Sequence, residues 1–469
     1  MTSYESAVRA EAPLLDAYLT ALDAGGAPFT IPGHKRNPAF GRVVAGDLPL
    51  YGGLDSVSLS AGVLIEAERR AAALWGADVA RFSVGGSTHG NQALALAVGQ
   101  PGDRVIVPRT LHRSLLLGLV LAGLEPVWLP TRVDPATGLP LGCRADDVAR
   151  CLQEAPDAVA VFVVDPTYVG SVGELARVAD LVHAAGRPLL VDAAWGAHLG
   201  FHPALPRHAL QAGADALVTS AHKMLPAYTQ AALVLARTER LDPARLQTAF
   251  EATNTTSPAG AVLASTDAAR ALLQLEGRAL LGEVVRLVAG ARARLGEVPG
   301  LTVLDTVEAT KLVVGLAGTG ADGLVVGAEL RAAGVEAEMA DRDWLVPVVT
   351  IADTAVSVER LVTTLVEVVA RHAGPPRATA LSPSWSVRPE IVLAPREAFF
   401  ARAVTLPARA AVGRVSVELV APYPPGVPVL APGERVTEEA VSGLLAAARA
   451  GTRIAYAADP TLQTLRVVA

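Results

Sequence analysis

A lysine preceded by a short polar cluster is the first candidate for chemistry in this sequence. Thr219-Ser220-Ala221-His222-Lys223 directly follows Ala216–Val218, an apolar run that predicts a strand. A lysine at a strand end that is shielded from water loses its proton more readily and can attack a carbonyl group. The neighbouring hydroxyl of Ser220 can bind a phosphate. Taken alone, such a lysine is more often a solvated loop residue.

An aspartate at the end of another predicted strand adds a second chemical group. Val191-Asp192-Ala193-Ala194-Trp195 places Asp192 31 residues before Lys223. A carboxylate in an apolar setting can keep a pyridine nitrogen protonated, which makes such a ring an electron sink. The structural alternative for Asp192 is the N-cap of a following helix, a position that favours aspartate.

A glycine-rich turn before an Ala/Leu-rich helix provides a third group. The sequence Val84–Gln92 reads VGGSTHGNQ. Backbone N–H groups and the helix dipole make such a turn an anion site. It is not a Walker loop, because no lysine follows at the required spacing. In a doubly wound sheet the Gly-rich turn, Asp192 and Lys223 would each lie at a strand end, so we expect them to meet in one crevice.

Alternating strands and helices are expected to position these groups. The helical patterns Leu64–Leu74 and Leu175–Ala185 lie among apolar runs that suit strands buried on both faces. This alternation predicts an α/β fold with a mostly parallel sheet. The runs are 104–107, 126–129, 158–164, 188–191, 216–218 and 231–234.

Changes of pattern predict four segments. Residues 1–47 form an N-terminal segment and residues 48–300 the large domain with the sheet. LTVLD, TKLVVGL and helices near 321–333 and 358–372 predict a smaller α+β domain over 301–375. A proline-rich linker introduces a C-terminal domain, 376–469, with a helix predicted at 437–448.

Composition excludes several classes of protein. Of the 469 residues 51% are hydrophobic and 18% are charged, which indicates a globular chain. The net charge of −6 argues against a dominant nucleic-acid surface. Cys143 and Cys151 match neither a redox pair nor a zinc site. With no basic N-terminal region before an apolar stretch, and no apolar run of about 20 residues, we expect a cytoplasmic protein.

These motifs, in their order, resemble the bacterial ornithine/lysine/arginine decarboxylase family among the fold-type-I enzymes that use pyridoxal 5'-phosphate (PLP). The most specific are the S-x-H-K element around Lys223 and the YPPG-x-P-x-x-x-PGE element. The matching segments are IPGHKRNP (31–38), GGSTHGNQA (85–93), PRTLHRS (108–114), DPTYVGSVGEL (165–175), VDAAWGAH (191–198), TSAHKMLPAYTQ (219–230), TTSPAGAVLASTDAAR (255–270) and AVGRVSVELVAPYPPGVPVLAPGE (411–434).

The resemblance implies catalytic roles for four residues, Lys223, Asp192, His222 and His112. Lys223 resembles the lysine that holds PLP as a Schiff base, and Asp192 resembles the partner of the pyridine nitrogen. His222 is expected to lie close to the phosphate ligands as a further cofactor-binding residue, and either His222 or Lys223 is expected to protonate the substrate Cα. Thr167 is a candidate partner of the ring hydroxyl.

The resemblance also implies how the cofactor is held. Ser87, Thr88 and Ser220 match the phosphate ligands. His112, which is also counted among the catalytic residues, matches a histidine that stacks on one face of the ring. Ala194 is expected to pack on the other face. The alternative for His112 is a surface residue at the start of a helix.

The implied reaction is the decarboxylation of lysine, ornithine or arginine by a homodimer or a larger assembly of dimers. The alternative is another fold-type-I reaction, such as aminotransfer or retro-aldol cleavage. Three departures from the family bear on this expectation. The chain lacks the N-terminal wing domain of the acid-inducible members, VDAAWGAH mixes features of two subgroups, and TTSPAG lacks the Ser-Tyr that often follows TTSP.

A basic substrate also needs an acceptor for its distal positive charge. Glu434 is the only carboxylate in the turn-rich segment Pro422–Glu434. A charge-assisted hydrogen bond to it would contribute roughly 1.5–3 kcal/mol. We therefore predict that Glu434 binds the cationic end of the substrate, within its own subunit or across the dimer. The alternative is that Glu434 starts or caps the helix near Thr437.

Overall fold

A computed structural model describes residues 3–24, 30–50, 55–56, 61–379, 381–423 and 426–469. Pro424 and Pro425 of the turn-rich segment lie outside the described residues. Two helices begin the chain and pack on a long helix of the large domain, and a two-stranded ribbon follows. These elements are α1 (Ser3–Glu11), α2 (Pro13–Asp23), β1 (Asp55–Ser56) and β2 (Ala61–Gly62).

The large domain is a seven-stranded sheet between layers of helices. Its elements are α3 (Val63–Trp75), β3 (Val79–Ser83), α4 (Gly86–Val98), β4 (Arg104–Pro108), α5 (Arg113–Ala122), β5 (Glu125–Leu129), α6 (Ala145–Glu154), β6 (Ala160–Val164), α7 (Leu175–Ala184), β7 (Leu189–Asp192), β8 (Ala216–Thr219), α8 (Ala221–Met224), β9 (Ala232–Ala236), α9 (Pro243–Thr253) and α10 (Gly260–Gly296).

The strand order is β3-β9-β8-β7-β6-β4-β5, and only the pairings of β9 with β3 and β8 are antiparallel. This arrangement confirms the predicted α/β class with a mostly parallel sheet. All six predicted strands are present. The seventh, β3, was missed because Arg81 interrupts its apolar run. One hydrophobic cluster lies on each face of the sheet, which explains the continuous apolar strands.

A small antiparallel sheet follows, in the order β10-β11-β13-β12. Two helices and the second half of α10 build its core with the strands. The predicted helices of this region are both present. The elements are β10 (Thr302–Val303), β11 (Val314–Gly315), α11 (Gly323–Ala332), β12 (Met339–Ala340), β13 (Trp344–Val346) and α12 (Ala355–Arg371).

The C-terminal region has its own core and two two-stranded sheets, β14 with β17 and β15 with β16. The helix predicted near Thr437 is present, and its N-cap is Thr437, whose side chain accepts a hydrogen bond from the Ala440 N–H. The elements are α13 (Pro383–Ser386), α14 (Pro395–Phe400), β14 (Ala403–Pro407), β15 (Ala421–Tyr423), α15 (Glu438–Arg449), β16 (Arg453–Ala455) and β17 (Thr464–Val468).

Four short 3₁₀ helices complete the secondary structure of the described residues: Pro38–Phe40, Arg42–Val44, Ala317–Thr319 and Ala408–Ala411. The boundaries 47/48, 300/301 and 375/376 between the four segments stay a proposal. Over the ranges given above, no helix has both the length and the apolar character needed to cross a membrane.

Candidate active site

Lys223 lies in the one-turn helix α8, directly after the end of β8. Burial lowers the pKa of its amine, and the nearby carboxylates of Asp192 and Glu338 oppose that shift. The ring of His222 is oriented by a 2.8 Å contact between its Nδ1 and the Ala231 carbonyl. The structure thus places Lys223 in a partly buried cleft, as the catalytic interpretation requires, rather than in a solvated loop.

Asp192 ends β7, the strand beside β8, and is 4% exposed. Each of its carboxylate oxygens accepts one hydrogen bond. Ala194 N–H donates to Oδ1 at 3.1 Å, and Asn91 Nδ2 donates to Oδ2 at 2.8 Å. The residues after Asp192 form a turn and not a helix, so the helix-cap alternative is not observed. The carboxylate is held in one orientation on the same edge of the sheet as Lys223.

The glycine-rich turn begins α4 beside the Lys223 loop. Ser87 Oγ and Ser220 Oγ are 2.6 Å apart, although they are 133 residues apart in the chain. Gly86, with φ of +67°, donates its N–H to the Gln230 carbonyl at 2.9 Å, which joins the turn to the loop after Lys223. Thr88 lies in the same first turn of α4. Two converging hydroxyls at the positive end of a helix form a cradle that fits a phosphate group.

His112 is the N-cap of α5, and its ring Nδ1 accepts a hydrogen bond from the Ser114 N–H. The residue is exposed, but the surrounding protein partly removes the ring from water, which lowers its pKa, while Asp192 acts in the opposite direction. His112 is therefore a helix-start residue, as the alternative held, and it also faces the charges of Asp192 and Lys223.

Two further predicted residues, Ala194 and Thr167, lie on the loops around Asp192. Ala194 donates its N–H to Asp192 and accepts a hydrogen bond from the Ser220 N–H at 3.3 Å, so it links two of the predicted groups. Thr167 is buried, and its Oγ1 accepts the N–H of Ser171 at 3.0 Å within a tight turn.

Four further residues of the site were not singled out from the sequence. Asn91 lies within the motif GGSTHGNQA, on the same helix as Gly86. This position was the signal that could have identified it as a site residue. Trp195 is adjacent to the Asp192 turn, and its ring centroid is 4.3 Å from Lys223 Nζ. Lys311 and Glu338 belong to the small antiparallel unit, and nothing in the local pattern connects them with Lys223.

The structure does not bring Glu434 to this cleft. Its carboxylate is fully buried, 2.9 Å from Arg109 Nη2, and it accepts the Ala431 N–H at 2.7 Å. The pairing joins the C-terminal region to the loop after β4, so no substrate can reach the carboxylate without separating these parts. The prediction that Glu434 reads the substrate is therefore corrected: it is a structural residue, and Thr437 caps α15 instead.

Comparisons with known proteins agree with this geometry. The family model for the Orn/Lys/Arg decarboxylase major domain matches residues 12–317, and the model for the C-terminal domain matches residues 379–454. Arginine decarboxylases of Halalkalibacterium halodurans and Bacillus subtilis are each 33% identical to this chain, over 98% and 94% of both proteins.

A solved lysine decarboxylase of Francisella novicida superposes with a TM-score of 0.82 at 18% identity. The match covers 98% of this chain and 81% of that one. At this level of identity the superposition establishes the fold, which is that of fold-type-I PLP enzymes. The chain therefore belongs to the ornithine/lysine/arginine decarboxylase family, and it is a decarboxylase.

Proposed function

We propose that this chain decarboxylates a basic amino acid, arginine in the first place, with PLP held by Lys223. The observation that carries the proposal is the meeting of Lys223 and Asp192 at the ends of two adjacent strands, beside the Ser87–Ser220 hydroxyl pair. The family supports PLP as the cofactor. Arginine is supported by the two relatives at 33% identity that match over nearly their whole length.

The residues present fit this cofactor. Ser87 and Ser220 would hold the phosphate at the start of α4, and Asp192 would hold the pyridine nitrogen. His112 would cover one face of the ring. When bound, PLP acts as an electron sink for the electrons that remain after CO2 leaves.

The chain's own groups prepare this chemistry. Burial favours the neutral amine of Lys223, the form that attacks a carbonyl. Asn91 and the Ala194 N–H fix the Asp192 carboxylate, so that it can keep a proton on the ring nitrogen. His222 Nδ1 donates its N–H to the Ala231 carbonyl, which leaves Nε2 as the nitrogen that can accept a proton. Lys223 and His222 remain the two candidates for protonating Cα.

Glu338 is the carboxylate that we assign to the cationic end of the substrate. Glu338 is exposed, and its charge acts on Lys223, His222 and Lys311. A carboxylate can pair with a guanidinium group through two parallel hydrogen bonds, which suits arginine. In this role Glu338 replaces Glu434.

The substrate test incubates the purified holoenzyme separately with arginine, lysine and ornithine. Mass spectrometry then identifies the amine, and evolved CO2 is measured. We expect decarboxylated arginine and an equal amount of CO2. A keto acid without CO2 would indicate aminotransfer and contradict the proposal.

The cofactor test reduces the holoenzyme with borohydride and maps the modified peptide. The chain has three lysines, Lys35, Lys223 and Lys311, so the map is unambiguous. We expect the label on Lys223 and none in a folded Lys223→Ala variant. A label on Lys35 or Lys311 in the parent would refute the assignment.

We further propose a homodimer, or an assembly of dimers. The support is the resemblance of IPGHKRNP and PYPPGVP to interface loops of the family. Sedimentation of the purified enzyme during turnover tests it, and an active monomer would contradict it.

A further inference from the structure

Arg113 carries an exposed positive charge at the rim of the cleft, directly after His112. The charges of Asp192, Lys223 and Arg113 all act on the His112 ring, so the guanidinium lies within electrostatic range of the same ring as the two catalytic groups. Among the described residues no carboxylate pairs with this guanidinium. Arg113 is therefore an uncompensated cation beside the candidate active site.

A tyrosine of the C-terminal region holds this guanidinium in place. Arg113 Cζ lies 4.6 Å from the ring centroid of Tyr456. Tyr456 is 37% exposed and has a φ of +69°, a conformation that residues other than glycine rarely adopt. Such strained conformations are most frequent at functional sites. The ring contacts the flat face of the guanidinium, so that the N–H donors, which lie in its plane, stay open to a ligand.

The stability of the helix does not account for a cation at this position. Arg113 is the first residue of α5, where the positive end of the helix dipole disfavours a basic side chain, and the first turn contains no acidic residue. An open guanidinium without a carboxylate suits an anionic group of a ligand, because its planar donors match the two oxygens of a carboxylate.

The surroundings of Lys223 also include a negative charge, that of Glu338. Glu338 acts on Tyr168 as well, whose ring stands edge-on to Trp195 with the centroids 5.3 Å apart, and Trp195 in turn contacts Lys223. The cleft thus combines a carboxylate from the small antiparallel unit with the guanidinium of Arg113 from α5. A basic amino acid carries the complementary pair of charges, a carboxylate on Cα and a cation at its distal end.

We propose that Arg113, held on the ring of Tyr456, binds the α-carboxylate of the substrate and so orients the bond that breaks. The inference rests on the proposed function and names a second binding group for its substrate. Holding the carboxylate fixes the rotation about Cα, which must present the scissile bond in one orientation to the cofactor. Because Arg113 is exposed, its ion pair is weak and does not trap the carboxylate in the ground state.

The test compares two ligands that differ only in the carboxylate. One is the basic amino acid that the parent holoenzyme decarboxylates, measured as kcat/KM. The other is its decarboxylated product, measured as Ki in competitive inhibition. In Arg113→Met we expect kcat/KM for the amino acid to fall about tenfold, while the Ki of the product changes by less than about twofold.

Two further variants serve as controls. Arg286→Met removes an exposed arginine that pairs with Glu283 on α10, and it should change neither quantity. Glu338→Gln should weaken the binding of the amino acid and of the product alike, because both carry the distal cation. The PLP content of each variant is measured as the borohydride label on the Lys223 peptide, and it should equal that of the parent.

The outcomes separate the possible failures. Equal losses for the two ligands in Arg113→Met would overturn the inference, because a residue that only supports the cleft cannot distinguish a carboxylate from a hydrogen atom. An unchanged kcat/KM would also overturn it, and so would a loss of bound PLP, which would assign Arg113 to the cofactor. A parent enzyme that releases no CO2 from arginine, lysine or ornithine would instead refute the proposed function, and this inference with it.

Discussion

At the scale of single residues, the proposal of a basic substrate depends on Glu338, which we assign to the cationic end of that substrate. Glu338 is exposed, and its carboxylate favours the protonated form of Lys223. We expect Glu338→Gln to lower kcat/KM for arginine by about tenfold, because a charge-assisted hydrogen bond is lost.

Glu336→Gln is the matched control for this change. Glu336 lies two residues earlier, is exposed and pairs with Arg331 at 3.1 Å. Its variant should keep the parent kcat/KM. Equal losses in the two variants would mean that Glu338 has no special contact with the substrate.

The buried amine of Lys311 should change how the free energy of unfolding depends on pH. Its pKa is about 8 in the folded chain and near its ordinary 10.5 when unfolded, so between these values the unfolded chain binds more protons. The free energy of unfolding of the parent should therefore rise with pH in this window, relative to Lys311→Met. The gain is about 1.4 kcal/mol per pH unit.

Urea unfolding of the two proteins at pH 7.5 and pH 10 measures this difference. Lys35→Met is the control, because Lys35 is an exposed lysine in the N-terminal segment. A parent and a Lys311→Met variant with parallel pH profiles would show that the ammonium is not isolated in the folded chain.

At the scale of elements, α4 must lie close to the sheet for Ser87 and Asn91 to reach their partners. Gly90 allows this approach, since a Cβ at this position would lie 2.7 Å from a methyl carbon of Val218 on β8 and 3.0 Å from Val234 on β9. We expect Gly90→Ala to reduce the free energy of unfolding by about 1–3 kcal/mol through overpacking, and to weaken PLP binding.

Gly290→Ala is the control for the helix itself. A Cβ at Gly290 on α10 meets nothing within 4 Å, so the substitution should stabilise the helix by about 0.5–1 kcal/mol. Chemical denaturation and a PLP titration of both variants provide the test. A Gly90→Ala variant as stable as the parent would show that α4 is not held this closely.

At the scale of the whole molecule, two arginines, of which Arg109 is buried, join the C-terminal region to the large domain. Arg109 pairs with Glu434, and Arg388 Nη2 donates to the Thr131 carbonyl at 2.6 Å. We expect Glu434→Ala to lower the free energy of unfolding by about 3 kcal/mol, because Arg109 is left buried without its carboxylate.

The kcat/KM of the folded Glu434→Ala enzyme should stay unchanged, since the Glu434 carboxylate is fully buried against Arg109. Glu439→Ala, an exposed change in the first turn of α15, should leave both quantities nearly as they are. A Glu434→Ala enzyme of normal stability and reduced kcat/KM would restore the substrate-binding interpretation.

The sequence by itself determined the class of the fold and the main chemical groups of the site. Six of the seven strands of the large sheet were predictable, because strands buried on both faces are continuous apolar runs. Lys223 and Asp192 were predictable for a related reason. Each directly follows such a run, and parallel strands bring their carboxyl ends to one edge.

Only the tertiary structure decided which distant groups meet there. Local pattern does not encode strand order, so the pairing of β7 with β8 and the contact of Asn91 with Asp192 could not be read from the sequence. Lys311 and Glu338 enter the site from another sheet for the same reason. Glu434 was misassigned because its partner, Arg109, lies 325 residues away, and a buried ion pair has no local signature.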